Sequence, residues 1–138
     1  MSAKTMYTLQ WDDAYVIGQP LIDQQHQMLF QLANRVFHIS QEHNQRHALQ
    51  EVFAALFDYT ERHFHDEEEV WQSLEATLCR QHRERHRQLK QSLEAIWSED
   101  SIFAIAETLN RLYDWMQELV DHITQFDRFM NQQIAVNS

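Results

Sequence analysis

The chain has 138 residues, 43% of them hydrophobic and 12% aromatic, which is the length of one domain with enough apolar content for a core and excludes a disordered chain. One Gly and one Pro leave too few turns for a β-sandwich or barrel. A formal net charge of −10 and a lone cysteine, Cys79, argue against nucleic acid as a partner and against any intrachain disulfide.

Residues 1–20 read as an arm carrying Trp11 and Tyr15, and Gly18-Gln19-Pro20 ends it in a turn that prepares a helix start. The arm has no apolar signal-peptide core, and no run approaches the ~20 apolar residues of a membrane span, so a cytoplasmic protein without membrane insertion is expected. Apolar spacing then predicts four helices. The first runs from about Leu21 to Ser40, striped by Ile22, His26, Leu29, Ala33, Val36 and Phe37. The second runs from about His47 to Leu74, with Leu56, Tyr59, His63, Glu67 and Val70 in its stripe. A change of apolar phase places a turn at Glu75-Ala76-Thr77. The third helix runs from about Leu78 to Trp97, with His82, His86, Leu89, Leu93 and Ile96. The fourth runs from about Ser101 to Ile134, with Leu112, Met116, Leu119, Ile123, Phe126 and Met130, and with Ser98, Asp100 and Ser101 as N-cap candidates. Four amphipathic helices joined by short polar links predict an all-α, up-down-up-down antiparallel four-helix bundle over 21–134, within one domain covering 1–138. No long exposed apolar face demands a partner, so a monomer or weak oligomer is expected.

The stripes are interrupted by polar groups. His26, His63, Glu67, His82, His86 and His122 fall on apolar faces, with Asp127 at the margin of the last. Each would cost several kcal/mol to bury unpaired. His63 and Glu67 are i,i+4, as are His82 and His86, so each pair shares one helix face. His122 and Asp127 are i,i+5 and diverge around an α-helix, reaching the bundle axis from either side of the seam. With helix directions alternating, all seven lie towards one end of the bundle. Five imidazoles and two carboxylates exceed one ion's needs, and two ions bridged by the carboxylates fit better. Iron pairs occupy helical-bundle cores with such ligands, although this set is richer in His than the Glu-x-x-His pattern of ferritin-like bundles.

These stretches, GQPLIDQQH at 18–26, YTERHFHDEE at 59–68, HRERH at 82–86 and WMQELVDHITQFD at 115–127, resemble the single-domain bacterial hemerythrins. The likeness extends over essentially the whole chain and matches the family's lone His, H-x-x-x-E, H-x-x-x-H and H-x-x-x-x-D. It implies two iron ions with a bridging oxo or hydroxo group: His82, His86 and His122 on one, His26 and His63 on the other, Glu67 and Asp127 across both. The second iron keeps an open position for dioxygen. The resemblance therefore implies reversible dioxygen binding without turnover, for carriage, storage, scavenging or delivery, with an electron donor or an O2-accepting enzyme as partner. A di-iron oxidoreductase acting on peroxide or nitric oxide, an O2 or redox sensor working through a separate partner, and a zinc-bound or metal-free structural bundle are the alternatives. Phe64, Leu119 and Ile123 are the candidates for an apolar wall over the open position. Two departures stand out: Trp71 where the family often has Met, and Ala76-Thr77 where it often has Tyr-Pro.

Other polar residues read differently. His65 is two residues from His63 and points to solvent. His38, His43 and His47 lie in or beside a polar link, and Glu69 reads as a solvated face. Glu68 reads the same way or reaches a neighbouring helix. Tyr59, one turn before His63, either orients a ligand or packs. Cys79 reads as a packing residue with a minor redox role open. Trp11, Tyr15 and Trp115 are expected to seat the arm.

Overall fold

A computed structural model describes residues 6–137, with side chains over 6–134. Helix α1 spans Pro20–Ile39, α2 Gln45–Val70, α3 Ala76–Ser98, α4 Ile105–Asp121 and α5 Arg128–Asn137, with a π-helical segment His122–Asp127 joining the last two. Among the described residues there is no strand. Helix α1 packs on α2 and α4, and α3 on α2 and α4. With short links between successive helices, that ring of neighbours is the up-down-up-down bundle.

Pro20 opens α1 at its first turn, where a missing N–H costs nothing. Gly18 has φ +96°, a region that only glycine enters without strain. The bend lets the backbone N–H groups of Ile17 and Gly18 donate to the Asp23 carboxylate at 2.8 and 3.2 Å. The arm packs through Trp11 and Tyr15, both edge-on to Phe30. Asn34 clamps Leu9, accepting from its N–H at 2.6 Å and donating to its carbonyl at 2.7 Å. Trp115 does not seat the arm. It lies in the bundle core, and its indole N–H donates to the Leu89 carbonyl at 2.8 Å, tying α4 to α3.

Two boundaries differ from the sequence reading. Helix α2 stops at Val70, and the turn occupies 71–75, so that Ala76 and Thr77 are already helical. Ending there swings Trp71 into the bundle end beside Ile22, Leu74 and Met130, where its indole donates to Asn131 at 3.2 Å. The Cys79 thiol lies 3.4 and 3.5 Å from the Trp71 and Leu74 carbonyls left over by that turn, a packing and capping role. Helix α4 starts at Ile105 rather than Ser101. Asp100–Ile102 form a separate 3-10 turn, and Ala104 takes the N-cap position without a side-chain bond.

The helices cross the same layers, α1 and α3 in one chain direction, α2 and the last helix in the other. Ile22, Trp71 and Met130 belong to a small apolar cluster at one end. Leu29, Phe64, Leu89 and Ile123 belong to the large cluster that fills the rest. Fully burying each such side chain contributes about 1.5–3 kcal/mol. Between them, on every helix, lie the polar residues.

Candidate metal centre

His26 from α1, His63 and Glu67 from α2, His82 and His86 from α3, and His122 and Asp127 from the π segment meet in that layer. All seven are at most 3% exposed. The i,i+4 pairs face inwards as spacing dictates. The pair on the last helix does so for a different reason. On an α-helix five residues turn through about 500°, leaving the two side chains about 140° apart. Here the chain winds as a π-helix from His122 to Asp127. The wider turn brings both onto one face, with His122 Nε2 2.9 Å from Asp127 Oδ1. The divergence expected from α-helical spacing is thereby corrected. Single π turns inside α-helices recur at functional sites.

The two carboxylates lie between two groups of imidazoles. Glu67 Oε1 is 3.0 Å from His86 Nε2 and 3.4 Å from His63 Nε2, and Glu67 Oε2 is 3.5 Å from His26 Nε2. Asp127 Oδ1 is 3.0 Å from His82 Nε2, and its Oδ2 is 3.2 Å from His26 Nε2. Donor atoms of Glu67, His82, His86, His122 and Asp127 all fall within 4.8 Å of one another, and so do those of His26, His63, Glu67 and Asp127. Both groups contain both carboxylates.

The hydrogen-bond accounts of the cluster leave several buried atoms open. Both ring nitrogens of His26, His63 Nε2, both oxygens of Glu67 and Asp127 Oδ2 are buried with no hydrogen-bond partner. Native structures rarely leave such atoms bare. His86 Nε2 faces His122 Nε2 at 3.2 Å. His86 Nδ1 contacts the Glu68 carboxylate at 2.9 Å, which only accepts, so the proton sits on Nδ1 and Nε2 keeps its lone pair. Lone pairs and anionic oxygens aimed at one another are what a metal ion resolves.

Electrostatics agree. Burial, then His26, push His63 well below the usual imidazole range, and burial, then His82 and His122, do the same for His86. Both are neutral and able to ligate. Burial, reinforced by Asp127, raises Glu67 well above the usual carboxylate range. Burial also pushes Asp127 upwards, but the charge of His122 and the close approach of Glu67, His122 and His26 together hold it well below. Of the two buried carboxyls Glu67 is thus the readier to hold a proton when only protein surrounds them, and a cation between them favours the ionised form of both.

The three apolar candidates are fully buried. Phe64 stacks on His86, with ring centroids 4.0 Å apart and planes 8° off parallel, and also lies 5.8 Å from the His63 ring. Leu119 and Ile123 belong to the large apolar cluster. His65, His38, His43 and His47 are exposed. His65 faces Glu69 at 4.0 Å and His47 faces Glu51 at 2.6 Å, away from the cluster. Tyr59 both packs and orients: its ring stacks on His63 and its hydroxyl donates to the Gln25 carbonyl at 2.6 Å. Sequence reading passed over Gln25, whose side-chain oxygen meets His63 Nδ1 at 2.7 Å. One signal existed: Gln25 follows Ile22 by three residues on the buried stripe.

Comparison with known proteins gives a consistent picture. The family model of the hemerythrin HHE cation binding domain matches residues 18–131, a span that holds all seven residues. A bacteriohemerythrin of Stenotrophomonas maltophilia (strain R551-3) is 37% identical over 81 residues, 59% of this chain. The match spans about half of that relative, 52% of its length. No solved structure matches the chain.

Proposed function

The chain belongs to the hemerythrin family, and from that premise we propose that it binds dioxygen reversibly at a carboxylate-bridged pair of iron ions. The observation that carries the proposal is the set of buried donor atoms, several without a hydrogen-bond partner, divided into two groups that share Glu67 and Asp127. His82, His86 and His122 would hold one ion, His26 and His63 the other, and the two carboxylates both. When bound, the iron pair supplies the two electrons that dioxygen takes up on binding and gives back on release.

The chain's own residues do the rest. The two-histidine side is one protein donor short of the other, which leaves room for an external ligand. Phe64, buried between the His86 and His63 rings, and the buried Leu119 and Ile123 would form the apolar wall that keeps water and protons from the centre. Only two anionic side chains belong to the set, so the donors are mostly neutral and favour low-valent iron over the oxidised forms that turnover chemistry needs. Carriage, storage, scavenging or delivery of dioxygen fits this better than peroxide or nitric oxide reduction. An electron donor that restores the ferrous state is the partner the reading requires. No described helix is long and apolar enough to cross a membrane.

Metal content and visible absorption of the anaerobically reduced protein, before and after air, test the proposal. Two irons per chain, with a visible band that appears in air and vanishes on deoxygenation, is the expected result. Zinc, no metal, or steady oxygen consumption with a reductant would overturn it.

A further inference from the structure

Two of the buried imidazoles are held from behind, and by unlike groups. We propose that Gln25, its amide oriented by Asp66, is a positioning residue for His63 that turns Nε2 towards the centre and leaves the two-histidine position the later to fill. This rests on the two-ion reading above.

The hydrogen-bond directions follow from the acceptor at the outer end. Gln25 Nε2 lies 2.6 Å from Asp66 Oδ2. A carboxylate only accepts, so the amide nitrogen must face Asp66 and the amide oxygen must face His63. That oxygen, 2.7 Å from His63 Nδ1, also only accepts. The ring therefore carries its proton on Nδ1, and Nε2 offers a lone pair beside Glu67. Tyr59 locks the arrangement, stacked on the His63 ring with centroids 5.0 Å apart and bonded to the Gln25 backbone. Each member of the relay is a chain neighbour of a centre residue: Gln25 precedes His26, and Asp66 precedes Glu67.

On the three-histidine side the corresponding partner is charged. Glu68 accepts directly from His86 Nδ1 at 2.9 Å. A carboxylate behind an imidazole makes it a better donor than an amide does. His63 receives the Asp66 charge only through an intervening amide. The centre is thus unequal in the number of its imidazoles and in what stands behind them. Asp66 and Gln25 also border a cavity of about 560 Å³ between α1 and α2, with Met28 and Arg62 on its walls. Substitution of Asp66 therefore disturbs a cavity edge rather than the apolar core.

The full chain, freed of metal by a chelator, is titrated with Co2+ without oxygen and followed by visible absorption, with far-UV circular dichroism as the check on folding. Wild type is expected to take two cobalt ions in two steps. Gln25→Met keeps the side-chain volume but offers only a weakly accepting sulfur and no donor, and should weaken the second step about 10–100-fold while leaving the first unchanged. The double variant Gln25→Glu with Asp66→Asn reverses the amide and the carboxylate and keeps every hydrogen bond. It should restore the second step and bring it closer to the first, which a packing role would not do. Should Gln25→Met fail to fold, Asp66→Ala removes the anchor alone and should weaken the second step by less. Two ions in wild type with an unchanged second step in the folded variant overturns the relay and leaves the centre standing. Fewer than two ions in wild type overturns both.

Discussion

At the scale of single residues, environment separates histidines that sequence spacing only sorts. His82 is 1% exposed, with Nε2 3.0 Å from Asp127. The His65 side chain is 70% exposed and faces Glu69 at 4.0 Å. Truncating His82 strands a buried carboxylate, at a cost of about 1–3 kcal/mol, and removes a donor whose metal-binding energy is also folding energy. His82→Ala is therefore expected to lose iron and melt lower. His65→Ala should hold its iron and stay within about 0.5 kcal/mol of wild type. Iron per chain and thermal midpoint decide it, and iron loss in the His65 variant would place that imidazole at the centre. The seven inward-facing residues were legible because an ionisable group on an apolar stripe is an energetic anomaly that spacing exposes. Gln25 carried only the weaker signal of an uncharged amide on the same stripe, and its partner on α2 is 38 residues away.

At the scale of elements, periodicity finds helices and misplaces their ends. All four bundle helices were legible from apolar spacing, because each turns one stripe to the core. The π turn was not, since Leu119, Ile123, Phe126 and Met130 keep ordinary α-helical spacing across it. Nor was the start of α4. Ser98, Asp100 and Ser101 looked like caps, yet Ser98 ends α3 and the other two lie in the 3-10 turn. The real N-cap, Ala104, has extended backbone (φ −63°, ψ 152°) and no side-chain oxygen to offer. Its third helical position is Glu107. Ala104→Ser therefore creates Ser-x-x-Glu, in which the hydroxyl accepts from the Glu107 N–H and the Glu107 carboxylate accepts from the N–H of residue 104. The exposed site leaves room for it. A gain of about 0.5–1 kcal/mol is expected, read as a thermal midpoint raised by a few degrees with unchanged iron content. No gain would mean that the Ala104 carbonyl, which already accepts from the Glu107 N–H at 3.0 Å, serves that group equally well.

At the scale of the whole molecule, a polar layer between two apolar ones ties stability to the occupancy of the centre. With the protein's own groups alone, His63 and His86 stay neutral far below the imidazole pKa of 6.5. In the unfolded chain they take protons as pH falls through that value, and in the fold they do not. Their contribution is therefore complete above about pH 6.5 and is lost as pH falls below it. Glu67 acts with the opposite sign. Its raised value favours the fold below its unfolded pKa of 4.5 and costs stability as pH rises above it, so it partly offsets the histidine loss in acid and leaves the metal-free fold short of its full stability at neutral pH. A bound cation removes both effects, because it compensates ionised Glu67 and bars protons from the imidazoles until it leaves. Chelator-treated protein should consequently melt lower than loaded protein at pH 7, and its thermal midpoint should fall progressively below about pH 6.5. Loaded protein should hold its midpoint into more acid solution and then lose metal and fold together. Thermal midpoints against pH, with and without chelator, provide the measurement. Coincident curves would mean that the buried donors hold no ion, and the centre would then be a polar network closed by protons alone.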